Sequence, residues 1–169
     1  AALAKELSIE PSDVVVASTG VIGVPLPVDQ LVAGIPTLAA ELDDSSEASD
    51  RAAKAIMTTD TKKKEFSYSL EIGGKTARIG GICKGSGMIS PNMATMLCFI
   101  TTDAAISPEM LKKSLSAVIK DTFNMVSVDG DTSTNDMAVI LASGLAGNPE
   151  IDAEGADFDR FTAALSVLC

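Results

Sequence analysis

Thr95 stands between a glycine-rich loop and an apolar run, in the stretch Lys84-Gly85-Ser86-Gly87-Met88-Ile89-Ser90-Pro91-Asn92-Met93-Ala94-Thr95-Met96-Leu97. The chain contains 0 histidines, so no Ser-His-Asp or Cys-His set can activate a hydroxyl within it. A hydroxyl nucleophile must find its base elsewhere, and one known solution is a threonine that becomes an N-terminus and uses its own α-amine. The plainer alternative is that a β-branched residue opens a strand because it suits the pleated backbone. Pro91-Asn92 is read as a turn into that strand, and Lys84 is the one cation close by in sequence.

Three other clusters invite a chemical reading. Asp129, Asp131 and Ser133 match the first ligand positions of a calcium loop. The match fails where the loop needs Gly and a bidentate Glu, since Thr134 and Ile140 stand there. No metal site is expected. The run Asp129-Gly130-Asp131-Thr132-Ser133-Thr134-Asn135-Asp136 suggests instead a turn network bonded to itself, with a structural and a functional role both open. Gly85-Ser86-Gly87 lacks the helix start that a phosphate cradle requires. Lys62-Lys63-Lys64 reads as a solvated loop. Cys83, Cys98 and Cys169 form no CxxC pair. They read as small buried hydrophobes in a reducing compartment.

These residues must be positioned by a core of Val, Ile, Leu, Ala and Met, because aromatics make up only 4% of 169 residues. That length suits one domain. Asp plus Glu number 23 against 13 Lys plus Arg, a net charge of −10. An acidic surface repels phosphate backbones, which argues against nucleic acid as a partner. No stretch approaches the roughly 18 apolar residues of a membrane span, and no signal-peptide pattern opens the chain. A cytoplasmic location is expected. Residues 1–7 begin in mid-helical pattern without a cap. The spacing of Phe158, Phe161, Leu165 and Leu168 runs to the last residue without a stop signal. A piece of a longer polypeptide, with flanking segments on both sides, is expected.

Residues 14–17 are a continuous apolar run and read as a buried strand. Residues 27–42 read as helical with interruptions at Gly34 and Pro36, and residues 46–57 as a second helix. Phe66, Tyr68, Leu70 and Ile72 alternate with polar residues, predicting a half-buried strand. Gly73-Gly74 then predicts a two-residue hairpin turn into a return strand over 75–83. A strand is expected over 95–101. Ser107-Pro108-Glu109 starts a helix to about residue 122, with a hydroxyl cap, a proline at the first helical position and a carboxylate at the positive end. Residues 137–142 are strand or buried helix, and Asn148-Pro149 breaks the chain before a last helix. The expected class is α+β, a layered sandwich.

The string GMI-x-PNMATML, with KGSG before it, resembles the self-cleavage site of ornithine acetyltransferases, also called glutamate N-acetyltransferases. Ser18-Thr19-Gly20-Val21-Ile22-Gly23 and residues 128–136 resemble further blocks of that family, in the same order. The resemblance implies an αββα-like sandwich of the N-terminal-nucleophile type. It implies cleavage between Ala94 and Thr95, dividing the chain into an α part over 1–94 and a β part over 95–169. Thr95 would be the nucleophile, Thr19 and Gly20 the oxyanion hole, and Thr58, Lys84 and Thr95 the substrate-binding positions. Acetyl would pass from N-acetylornithine to glutamate through an acetyl-threonine ester, a step of arginine biosynthesis. No cofactor is implied, although some members take acetyl-CoA as donor. The implied assembly is an α/β heterotetramer of cleaved chains. Two rivals stand beside this reading: a related amidohydrolase or aminopeptidase, in which water resolves the acyl-enzyme, and a non-catalytic acidic binding or assembly domain.

Overall fold

A computed structural model of the chain describes residues 1–21, 23–87 and 96–169. Two compact units divide it, residues 1–52 and 53–169. The Ala94–Thr95 bond, and with it the expected nucleophile, lies outside the described residues.

In the first unit, α1 (Ala2–Leu7) packs on α2 (Val28–Ala40), with Ala4 buried. Helix α2 continues through Gly34 and Pro36, so the expected interruptions do not occur. A proline removes one hydrogen bond and crowds the preceding turn, and the flanking turns of α2 carry the helix past it. The buried strand expected over 14–17 is also absent. Val15 and Val16 are 49% and 77% exposed, and the segment belongs to no sheet. Apolar character drives burial, but a strand exists only where a neighbour completes its ladder. Helix α3 (Ser46–Ala55) follows and carries the boundary between the units.

The second unit is built on a four-stranded sheet in sequence order. Strand β1 (Lys64–Ile72) pairs antiparallel with β2 (Lys75–Lys84) through the predicted Gly73-Gly74 turn. Both glycines have positive φ, 55° and 75°, as a type I′ hairpin requires. A Cβ on Gly73 would also come within 2.5 Å of Pro149 Cδ. Strand β3 (Leu97–Thr102) pairs antiparallel with β2. Helix α4 (Pro108–Asp121) then crosses over to β4 (Met137–Ala142), which runs parallel to β3. The Ser107 hydroxyl caps α4 as predicted, accepting from the Met110 amide at 3.3 Å. Residues 137–142 are thereby a strand, and α5 (Ala156–Leu168) closes the unit.

Helix α5 packs on β1 and β2, and α4 packs on α5. The core joins Leu70, Ile72, Ala77, Ile79, Ile100 and Ile140 of the sheet to Phe158, Phe161 and Leu165 of α5. Phe161 and Leu165 are fully buried. Phe66 and Tyr68 share a sheet face with Leu70 and Ile72 but are 51% and 44% exposed, so the predicted alternation is buried only over the second half of β1. Gly81 lets the end of α5 approach the sheet, since a Cβ there would meet Leu168 Cδ2 at 3.2 Å. The class is α+β, as expected. No helix among the described residues is long and apolar enough to cross a membrane.

Candidate active site

The sheet register gathers chemistry at one end. Lys64 of β1 lies opposite Cys83, Lys84 opposite Leu97, and Leu97 beside Met137. Loops 58–61, 85–87 and 129–136 therefore enter or leave the sheet at the same edge. The backbone on either side of residues 88–95 enters and leaves there too.

Lys84 is the last residue of β2 and only 3% exposed. A buried ammonium requires negative charge nearby. Asp136, at the foot of β4, is the carboxylate on which it acts. Asp136 Oδ1 accepts a hydrogen bond from the Met96 amide at 2.8 Å. Its Oδ2 is buried and accepts none among the described residues. Burial pushes the Asp136 carboxyl above its ordinary value, against the pull of the Met96 N–H and of Lys84. The Met137 amide donates to Met96 O at 2.9 Å. Met96 is thus held on both sides of its backbone, one residue after Thr95.

A second carboxylate, Asp60, joins two of the loops. Its Oδ1 accepts from the Gly85 amide at 2.9 Å and from the Lys64 ammonium, and its Oδ2 accepts from the Thr58 amide at 3.5 Å. Burial raises the Asp60 carboxyl, but the Lys64 hydrogen bond and the Gly85 and Thr58 amides outweigh it and leave the group below its ordinary value. Lys64 also donates to Gly85 O at 3.0 Å. It is therefore a tie between loops rather than the freely solvated cation expected of Lys62-Lys63-Lys64. Thr59 Oγ1 and Ser86 Oγ lie 2.6 Å apart. These bonds set the loop of Thr58 against the loop that follows Lys84, bringing two expected substrate-binding positions to one edge of the sheet. Thr58 itself is exposed.

The polar run 129–136 is a self-bonded loop, as predicted. The Asp131 amide donates to Asp129 Oδ1 at 3.3 Å, the Asn135 amide donates to Ser133 Oγ at 3.1 Å, and Gly130 takes φ 80°. A Cβ on Gly87 would meet Asp129 Oδ2 at 3.7 Å, so this loop lies against the glycine-rich one.

Thr19 and Gly20 belong to the first unit, in an irregular segment after residues 14–17. Thr19 is half-buried and Gly20 exposed. A Cβ on Gly20 would make only ordinary contact, 3.5 Å from Leu26 Cδ2. Ala94 and Thr95 lie outside the described residues.

The sequence did not single out Asp60, and it placed Asp136 only within the 128–136 block. Asp136 closes a polar run before an apolar strand, the one signal that could have singled it out. Asp60 sits in a Thr-Thr-Asp-Thr run with no comparable mark.

Comparison with known proteins decides the family. The ArgJ family model matches residues 1–169. The chain belongs to the ArgJ family. The arginine biosynthesis bifunctional protein ArgJ of Symbiobacterium thermophilum is 54% identical over 165 residues, covering 98% of this chain and 40% of that protein. ArgJ 1 of Clostridium acetobutylicum is 51% identical over 96% of this chain and 39% of its own length. The ArgJ of Lactococcus lactis subsp. lactis is 47% identical over 99% of this chain and 41% of its own length. The chain thus spans about 40% of the length of these curated ArgJ relatives. A crystal structure of the ArgJ protein of Bacillus halodurans is 51% identical, covers 42% of this chain and 33% of that one, and aligns with a TM-score of 0.40.

Proposed function

We propose that this chain carries the self-cleaving, acetyl-transferring centre of an arginine-biosynthesis enzyme. The observation that carries the reading is the ArgJ family match over residues 1–169. The convergence of three loops on the two flanks of residues 88–95 supports it.

In this reading the Thr95 hydroxyl attacks the Ala94 carbonyl, and the amide nitrogen leaves as the acyl group moves to oxygen. The shift leaves the Thr95 nitrogen as a free α-amine, and water then hydrolyses the ester, releasing the Ala94 carboxylate and restoring the Thr95 hydroxyl. That amine, with an ordinary pKa of about 7.7–8.0, is partly neutral near pH 7 and takes the hydroxyl proton. Thr95 then attacks the acetyl carbonyl of N-acetylornithine and ornithine leaves. The amine of glutamate attacks the acetyl-Thr95 ester, giving N-acetylglutamate and restoring the hydroxyl. The Thr19 hydroxyl and the Gly20 amide stabilise the oxyanion, and losing one such donor costs roughly 2.7–4 kcal/mol of barrier. Lys84 and Thr58 bind substrate. Lys84 also supplies positive charge that eases deprotonation of the hydroxyl.

Asp136 adds a positioning role. By accepting from the Met96 amide it fixes the peptide unit that leaves the nucleophile, and Met137 holds the same residue from its other side. A nucleophile is effective only when its approach is held within a narrow range.

The layered sandwich belongs to the same proposal. The sheet face away from α5 carries Ile82, Leu97, Phe99, Val139 and Leu141, aligned across β2, β3 and β4. A solvent-facing sheet would alternate with polar residues there. Apolar residues on both faces suit a sheet that packs against a second sheet. Acetyl-CoA as an additional donor, a cytoplasmic location and an α/β heterotetramer of cleaved chains complete the reading.

Thr95→Ala is expected to abolish both cleavage and acetyl transfer. A Thr95→Ala protein that still cleaved and transferred acetyl would refute the mechanism. Release of acetate from N-acetylornithine with no transfer to glutamate would move the chain to the related hydrolases.

A further inference from the structure

All three cysteines converge on one recess, on the sheet face that α5 covers. It measures about 240 Å³ and is lined by Phe66, Cys83, Cys98, Phe123, Leu168 and Cys169, among others. A water occupies roughly 30 Å³ of liquid, so a small solute fits. None of the three thiols takes part in the proposed acetyl transfer, and all are free.

Cys83 and Cys98 face each other directly across β2 and β3. The ladder fixes the kind of pair they form. One step past Ile79↔Thr102, the Asp103 amide donates to Arg78 O at 3.2 Å, and the Arg78 amide donates to Asp103 Oδ1 at 2.6 Å. Arg78 and Asp103 therefore occupy a hydrogen-bonded position, with the Asp103 carboxylate standing in for its carbonyl as acceptor of the Arg78 amide. Such pairs alternate along an antiparallel ladder with non-hydrogen-bonded ones, and the register runs unbroken from Ile79↔Thr102 to Lys84↔Leu97. Cys83↔Cys98 falls on a non-hydrogen-bonded position. There the Cα atoms lie about 4.5 Å apart and the side chains approach most closely. A disulfide spans Cα separations of about 4.4–6.8 Å, so the pair can close without backbone rearrangement.

The two thiols are not equivalent. Cys83 is half-buried on the recess, with Lys64 directly across in the β1–β2 register. The Cys83 thiol donates to Lys84 O at 3.8 Å, and the Cys98 thiol beside it and the Lys64 charge hold Cys83 below the ordinary thiol range, against its burial. Cys98 is 2% exposed, and the neighbouring Cys83 thiol together with burial pushes it up. Burial pushes Cys169 up to about 11. Thiolate character selects the sulfur that reacts.

We propose that Cys83 and Cys98 are a hydroperoxide-sensitive modification site, with Cys83 the attacking thiol and Cys98 the resolving one. The Cys83 thiolate attacks the terminal peroxide oxygen, and the O–O bond breaks. Water or an alcohol leaves with a proton, and Cys83 becomes a sulfenic acid. The Cys98 sulfur then attacks the Cys83 sulfur, the S–O bond breaks, and water leaves with the Cys98 proton. The sulfurs together lose two electrons and the peroxide gains them. The product is a disulfide that joins the end of β2 to the start of β3, and thiol reductants reverse it.

The test exposes the folded, reduced protein to a few equivalents of hydrogen peroxide, blocks remaining thiols with an alkylating agent and digests it with trypsin without reduction. The expected product links residues 79–84 to the Cys98 peptide, with Cys169 alkylated. The link disappears on reduction and is lost in Cys83→Ser and Cys98→Ala. In Cys98→Ala a dimedone adduct accumulates on Cys83. The Cys98 peptide starts at Gly85 if the Ala94–Thr95 bond is intact and at Thr95 if it is cut, so the link is read whichever holds. A disulfide to Cys169 instead, or a Cys83 that stays fully alkylated while Cys98 oxidises, would overturn the proposal.

Discussion

Residues 14–17 and 97–100 are both unbroken apolar runs, yet they have opposite fates. The second lies between β2 and β4, with Leu97, Cys98 and Ile100 at 7%, 2% and 1% exposure. The first has no ladder partner, and Val16 is 77% exposed. The difference extends to the units that contain them. Leu31, Val32 and Leu38 of α2 are 45–65% exposed, whereas the second unit buries Phe161 and Leu165 fully. Apolar composition is similar in the two regions. What separates them is that every strand of the second unit completes its neighbour's hydrogen bonds, and that the sheet so formed packs on α5 through β1 and β2. Burial then follows from the ladder.

The largest effect that would sharpen this contrast is in the core. Phe161→Ala is expected to destabilise the second unit by about 3–5 kcal/mol, while Val16→Ala should change stability by no more than about 0.5 kcal/mol. Urea unfolding of both variants checks this, and comparable losses would remove the distinction between the units. Next is the turn that sets the β1–β2 register. Gly73→Ala places a side chain at φ 55° and against Pro149, with an expected cost of at least about 1–2 kcal/mol. A neutral outcome would mean the hairpin does not depend on its left-handed turn. Ser107→Ala removes the cap of the helix that connects β3 to β4 and is expected to cost about 1 kcal/mol.

The smallest effect is a pH dependence. The folded Asp60 carboxyl lies below its ordinary 3.8, so the unfolded chain holds that proton more tightly. Its contribution is complete above the ordinary value and is lost as pH falls through the folded one. Asp60→Asn should therefore flatten the acid side of the stability–pH curve. An unchanged acid limb would show that the tie between loops 58–61 and 85–87 adds nothing to stability.

Local chemistry was legible in the sequence where it determines structure by itself. Gly73-Gly74 between alternating segments specified the hairpin, and Ser107-Pro108-Glu109 specified the start of α4. Residues 14–17 and Pro36 misled because their outcomes depend on neighbours that a pattern does not name. The site divided in the same way. Lys84 and Thr58 entered through motif resemblance. Asp60, and Asp136 within its block, were not singled out because they bond to amides 25 and 40 residues away, at Gly85 and Met96. Such contacts exist only once the sheet brings its loops to one edge. The carboxylates that tie the site together were therefore harder to read than the residues assigned to the chemistry.

In the proposed function Thr95 becomes an N-terminal nucleophile that carries acetyl. Intact-mass measurement of the purified protein, with and without N-acetylornithine, tests it most directly. Two pieces separated at Ala94–Thr95 are expected, with one acetyl group added to the piece that begins at Thr95 when N-acetylornithine is present and removed again by glutamate. A single uncut chain that gains no acetyl group would contradict it.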